Sequence, residues 1–193
     1  MTDIYIPIGM NCYIANFLKS KKLRLFALPF DWNISSLHMS YNVLYNDFDG
    51  FLDNLFIGTQ THRLLFDEDD NTKLTVSNSL IFPVICKKYN ILFPHDFPNI
   101  NDKTILDVKD KYNRRIQRFR HIINDPSKNI YLIYCDLNND LNEFQTSVYQ
   151  EYNPKLLNLF KNNDIYIDKI KTLYEKHNNI KIISLEELKT IIS

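Results

Sequence analysis

The stretch IYIPIGMNCYIANFL, residues 4–18, decides how this chain is read. An apolar run ends in Gly9, and residues 3–8 read as a buried strand. Asn11 is suited to cap a helix from about 12 to 20, which puts Cys12 at the first helical position. A strand running through a glycine turn into a helix is the opening unit of an α/β layer.

The same alternation continues along the chain. LRLFALPF (23–30) reads as a second short strand, stopped by Pro29 and the Asp31-Trp32 pair that follows. Leu37, Tyr41, Leu44, Phe48, Phe51 and Leu55 recur at steps of four and three, one apolar helix face with Ser35 or Ser36 as its cap. Residues 58–79, centred on DEDDNT, are polar and read as a loop or weak hairpin. SLIFPVICKKYNILFPHDF (79–97) reads as two strands around the turn KKYN. Val108, Tyr112, Ile116, Phe119 and Ile123 mark a helix over 104–124, and NIYLIYCD (129–136) a buried strand. Helices are expected over about 143–152 and 155–177, divided at Asn153-Pro154, then a strand at 179–184. Ser184 and Glu187 have capping-box spacing for a short terminal helix. The expected architecture is a Rossmann-like α/β fold, a mostly parallel sheet flanked by helices, in a single domain over residues 1–193.

The totals narrow the function classes. Apolar residues make up 45% of the 193, enough for a real core, and Lys plus Arg balance Asp plus Glu at 23 each. No basic field for nucleic acid or an acidic membrane is indicated, and no window reaches the ~18 apolar residues of a membrane span. Asp3 and the missing basic N-terminal region argue against a secretory signal. Three widely spaced cysteines make no disulfide framework, so a reduced, cytoplasmic setting is expected. Only three glycines occur, which counts against a glycine-rich phosphate loop. No metal is expected, since no two Cys or His have zinc-motif spacing, and no cofactor is called for.

Several residues could carry chemistry. At a helix start the unpaired N–H groups favour negative charge, so the Cys12 thiol is expected to have a lowered pKa and act as a nucleophile. The competing reading is a small packed hydrophobe. His95, in FPHDF at a strand end, is placed to exchange a proton with it, or simply to fix a turn. His38, His121 and His177 read as helical and solvated, and His62 lies near the polar loop. Asp136 ends the strand IYLIYC and is preferred over Asp96 for orienting the imidazole, because neighbours on an extended segment point to opposite faces. Asp31 and Trp32 could contact a substrate, or instead cap a helix and plug the core. RRIQRFRH (114–121) reads as a solvated helix face, with Arg115 flanking the apolar stripe and able to reach an anionic substrate.

With GMNCYIANFL, LRLFALPFDW, FPHDF and YNRRIQRF in this order, the chain resembles a domain-of-unknown-function family labelled "putative papain-like cysteine peptidase", with members in bacteria and large DNA viruses. The resemblance spans about residues 4–136 and leaves 137–193 as a C-terminal helical and strand extension. It implies a nucleophile at Cys12, a base at His95, and an orienting acid at Asp136 or, second, Asp96. Two departures stand out. The glutamine that papain-type sites place before the cysteine is missing, leaving Asn11 or backbone N–H groups for the oxyanion, and the strand-first start differs from a helix-first papain core.

Two functions follow as expectations. One is a thiol-dependent hydrolase or acyl transferase acting on an amide or ester bond of a small-molecule or peptide substrate. The other is a Rossmann-like transferase or binding module for a sugar, nucleotide or phosphate. In that second case Asp31, Trp32, His95 and Arg115 would be ligand contacts and Cys12 a packing residue, and Asn11 and Asp96 are further substrate-binding candidates.

Overall fold

The computed structural model describes residues 2–9, 12–68, 72–135, 141–161 and 164–192. Asn11 and Asp136, both named above, lie outside them.

β1 (Thr2–Pro7) lies parallel to β6 (Lys128–Tyr134), and β6 lies parallel to β7 (Ile180–Ser184), giving a sheet of order β1-β6-β7. Strand alternation sends successive side chains to opposite faces. Ile4, Ile6, Ile130, Leu132 and Ile180 face the main core, while Tyr5, Tyr131, Ile133 and Ile183 face a smaller one. α1 (Tyr13–Ser20) and α6 (Leu185–Ile191) cover the smaller face with Ile14, Leu18, Leu185 and Leu188. Ser184 caps α6 with the expected box. On the main-core side lies α3 (Asp102–Ile123), which buries Val108, Tyr112, Ile116, Phe119 and Ile123 as its spacing required.

The remaining strands correct the expectation of one mostly parallel sheet. β2 (Leu55–Ile57), β3 (Thr61–Glu68), β4 (Leu74–Cys86) and β5 (Ile91–Phe97) form a second, antiparallel sheet built around the long β4. The polar stretch 58–79 therefore holds most of a hairpin, with Thr61 opposite Ile81 and Glu68 opposite Leu74. The molecule is a mixed α/β fold with one parallel and one antiparallel sheet among the described residues.

Two other expectations give way to tertiary packing. Residues 23–30 are not a strand. The chain turns repeatedly there, with the Leu28 amide donating to the Asp31 carboxylate at 2.7 Å and Asn33 Nδ2 donating to the Pro29 carbonyl at 2.6 Å. Successive residues Ala27, Leu28, Phe30 and Trp32 are all buried, which a one-faced strand does not allow. The helix expected to run on to Leu55 stops early, because α2 covers only Leu37–Tyr45, capped by Ser36. Asp47 and Phe48 then take left-handed φ of 46° and 59°, and Arg120 braces the bend through Asp47. Phe48 and Phe51 reach the core from this bend as well as they would from a helix. The C-terminal part follows the break at Asn153: α4 (Glu143–Tyr152), a 3-10 helix (Pro154–Phe160) and α5 (Asp164–Leu173).

Between β1 and Cys12, Gly9 has φ +90°, and an added Cβ would sit 3.0 Å from Ser40 Oγ and 3.5 Å from Leu37 Cδ2. Gly9→Ala should therefore cost about 1–3 kcal/mol in urea denaturation. A loss below roughly 0.5 kcal/mol, the range of an ordinary surface change, would show the turn to be unconstrained.

Candidate active site

A buried carboxylate anchors the β3–β4 hairpin. Glu68, the last residue of β3, accepts from Arg24 Nη1 at 2.5 Å, Arg24 Nη2 at 2.8 Å, Trp32 Nε1 at 2.6 Å and Arg115 Nη2 at 3.1 Å. Arg24 also donates to Asp31 Oδ2, from Nη2 at 2.5 Å and Nε at 3.2 Å. All five side chains are buried. Burial works against the charge on Arg24, but Asp31 and Glu68 outweigh it and raise its pKa. The two arginines and two carboxylates balance in charge, as burial of such groups demands.

This clamp settles where several expected contacts sit. Asp31 is fully buried on Arg24 and does not cap α2. Trp32 is 2% exposed, with the edge of Phe66 at 5.2 Å and Arg24 5.0 Å from its ring, so neither face of the indole is open to a substrate. Arg115 is 1% exposed and spent on Glu68. The basic run is a solvated face only in part: Arg114 and His121 are exposed as expected, while half-buried Arg118 donates to the Ala27 carbonyl at 2.6 Å and Arg120 holds Asp47.

β3 meets β5 through the Leu64–His95 hydrogen bond, and His95 sits in a bulge of β5. Phe82 pairs with Phe97 but Val84 with Phe93, so the ladder skips Pro94, His95 and Asp96. Bulges of this kind re-aim side chains and recur beside active sites. The two prolines here, Pro83 and Pro94, lack the N–H that a regular ladder needs. The His95 ring stacks on Phe66 at 4.0 Å and 16°. Its Nδ1 lies 2.7 Å from the Leu64 carbonyl, which can only accept, so the bond assigns the proton to Nδ1 and leaves a lone pair on Nε2. Burial lowers the His95 pKa, against the upward pull of the Leu64 bond and Asp96, and Arg63 lowers it further. A pKa lowered from 6.5 favours the neutral ring at pH 7.

Asp96 points elsewhere, as neighbours on a strand should. It pairs with Lys111 and accepts from Tyr112 OH at 3.2 Å. It lines a cleft of about 420 Å³ with Phe66, Glu68, Asp107, Lys111 and Arg114. Its charge reaches His95, but the ring is held by the Leu64 carbonyl.

Cys12 is half-buried at the entry to α1. It occupies the cap position, with φ −64° and ψ −1°, and its carbonyl accepts from the Asn16 amide at 2.9 Å. The expected fall in its pKa is reversed. Burial raises the thiol, and its own amide and the Arg63 guanidinium only partly offset this. A helix of eight residues offers a modest dipole, and half-burial outweighs it. Cys86 and Cys135 are buried outright.

Arg63 therefore links the two: its charge acts on the Cys12 thiol and on the His95 ring. Arg63, Leu64, Glu68 and Arg24 were missed as individual site residues. Glu68 is hidden in the acidic run FDEDD, which reads as solvated. Its two-residue spacing from Phe66 was the available signal, since it puts both on one strand face. His38, expected to be solvated, is half-buried and meets Tyr166 edge-on at 4.7 Å. Among the described residues no group of three or more His, Cys, Asp or Glu could hold a metal, and no helix is long and apolar enough to cross a membrane.

The model of the family described as "Putative papain-like cysteine peptidase" matches residues 3–159, and the chain belongs to that family. It is also 31% identical over 142 residues to "Uncharacterized protein R408" of Acanthamoeba polyphaga mimivirus, an alignment covering 67% of this chain and 60% of that relative. No solved structure matches the chain.

Removing the Glu68 charge leaves one buried guanidinium uncompensated, because Asp31 still pairs with Arg24. Glu68→Gln should cost about 3–5 kcal/mol in chemical denaturation, and a loss under roughly 1 kcal/mol would mean the network is not under load. His95 gives a second check. Its folded pKa lies below the 6.5 of an ordinary histidine, so the unfolded chain takes the proton first. Stability should fall as pH drops below about 6.5, and this loss should be smaller in His95→Gln, where half-buried His38, its pKa also lowered by burial, keeps part of it.

Proposed function

We propose that the protein is a thiol-dependent hydrolase or acyl transferase acting on an amide or ester, with Cys12 as nucleophile and His95 as general base. The observation that carries this reading is the Nδ1 bond to Leu64, which leaves His95 Nε2 free to accept a proton. Family membership supports the same chemistry.

At neutral pH both partners start uncharged, because burial raises the thiol and lowers the imidazole. The pair works by general-base catalysis, without a standing thiolate–imidazolium couple. His95 Nε2 takes the Sγ proton as sulfur bonds to the substrate carbonyl carbon. The tetrahedral intermediate collapses to a thioester, and the imidazolium returns the proton to the departing amine or alcohol. Water completes hydrolysis, or a second nucleophile completes transfer. In this scheme the Leu64 carbonyl, in place of Asp136, orients the ring, and Asp96 lends charge to the imidazolium. Main-chain amides at the start of α1 receive the oxyanion. The substrate is a peptide or small molecule.

The raised Cys12 thiol is the one observation favouring a non-covalent binding module, in which Cys12 only packs. Acid-quenched mass spectrometry with p-nitrophenyl acetate separates the two. An acetyl group should accumulate on Cys12 and not on Cys86 or Cys135, with a rate that rises to a plateau as His95 deprotonates, below pH 6.5. His95→Ala should slow acetylation by about 10²–10⁴-fold. Acetylation that ignores His95→Ala, or falls on other residues, would leave the binding module as the better reading.

A further inference from the structure

We infer that Arg63 is a specificity residue: it receives a carboxylate that the substrate carries beside the carbonyl attacked by Cys12. This rests on the proposed chemistry at Cys12 and His95.

Arg63 directly precedes Leu64 on β3, so the clamp and strand pairing that place the His95-holding carbonyl also place this guanidinium. Its Cζ lies 3.7 Å from the centre of the Phe144 ring on α4, a stacked contact that fixes its plane. Its Nε is buried without a hydrogen-bond partner, and among the described residues no carboxylate lies within ion-pair distance of it. The contrast with the other arginines around this region is sharp: Arg24 and Arg115 are bound to Glu68, Arg118 to a carbonyl, and Arg120 to Asp47.

A guanidinium partly withdrawn from water and given no anion is costly unless one arrives from outside. The neutral thiol does not supply it. Arginine's planar fork matches a carboxylate with two parallel N–H bonds. The anion-binding role that the sequence suggested for Arg115 thus passes to a different arginine, on the side of the site where Cys12 and His95 lie.

The test uses two alkylating agents that differ in charge, iodoacetate and iodoacetamide, on the full chain. Rates at Cys12 are read by peptide mass spectrometry and normalised to a small neutral thiol, N-acetylcysteinamide. The iodoacetate to iodoacetamide ratio at Cys12 should exceed that of the small thiol by about tenfold, the scale of one charge-assisted pair. Arg63→Gln should return the ratio to the small-thiol value, while Arg63→Lys keeps part of the preference. A normal ratio in the wild type overturns the inference. So does an equal fall of both rates in Arg63→Gln, which would mean that the guanidinium serves only the sulfur. Because unfolding would also return the ratio to the small-thiol value, Arg63→Gln is read alongside its circular dichroism spectrum and thermal transition, which should match the wild type, and Arg63→Lys, which keeps the charge, is the second variant. His95→Ala should lower both rates together and leave the ratio unchanged. If it lowers neither, the base assignment fails, while a raised ratio lost in Arg63→Gln still establishes the anion site.

Discussion

The arrangement depends on one buried carboxylate. Glu68 takes donors from the irregular segment after α1, through Arg24 and Trp32, and from α3, through Arg115. A hairpin that projects from a sheet has few contacts of its own and would otherwise fray. Here the end next to its turn, where Glu68 pairs with Leu74, is tied into the core by charges that cannot be exposed singly without large cost. Four and five residues back along the same strand are Leu64 and Arg63, the groups that act on His95 and Cys12. The clamp thus converts core electrostatics into placement of an imidazole and a guanidinium. Asp31 completes the charge balance, and its buried Oδ1 has no hydrogen-bond partner among the described residues, nor has Arg115 Nη1. The network is tight around Glu68 and looser at its margins.

The site's chemistry follows from how little water reaches it. Burial pushes the thiol and the imidazole in opposite directions, and both pushes favour the uncharged form. A helix start alone would favour a thiolate, but eight residues of α1 do not overcome the half-burial of Cys12. Reactivity in such a pair comes from proton transfer during attack, which requires a base of fixed tautomer. A main-chain carbonyl provides that without adding a charge.

Much of this was legible in the sequence where local periodicity and burial agree. β1, β6, β7, α3, the Ser36 cap of α2 and the capping box of α6 sit where spacing and caps placed them. Cys12 and His95 stood out by position at element ends. What was illegible depends on pairing across long separations. LRLFALPF has strand composition, but Arg24 must reach Glu68, 44 residues away, and Phe30 and Trp32 must be buried together, so the chain turns instead. The stripe Leu37 to Leu55 fits a helix equally with a bend after Tyr45, because apolar spacing does not report backbone sign at Asp47 and Phe48. Arg115 and Arg63 look alike in a string of letters. Only the fold shows that one is neutralised in the core and that the other has no acid beside it among the described residues.

The central claim is that the clamp and bulge hold the His95 ring with its proton on Nδ1. Nitrogen-15 NMR of the imidazole at pH 7 tests this directly. The expected spectrum has a protonated Nδ1 and a bare Nε2, and in Glu68→Gln, held below its unfolding transition, the ring should lose this single tautomer. A wild-type ring protonated on Nε2, or a doubly protonated one, would contradict the account. So would a Glu68→Gln variant whose ring signals are unchanged.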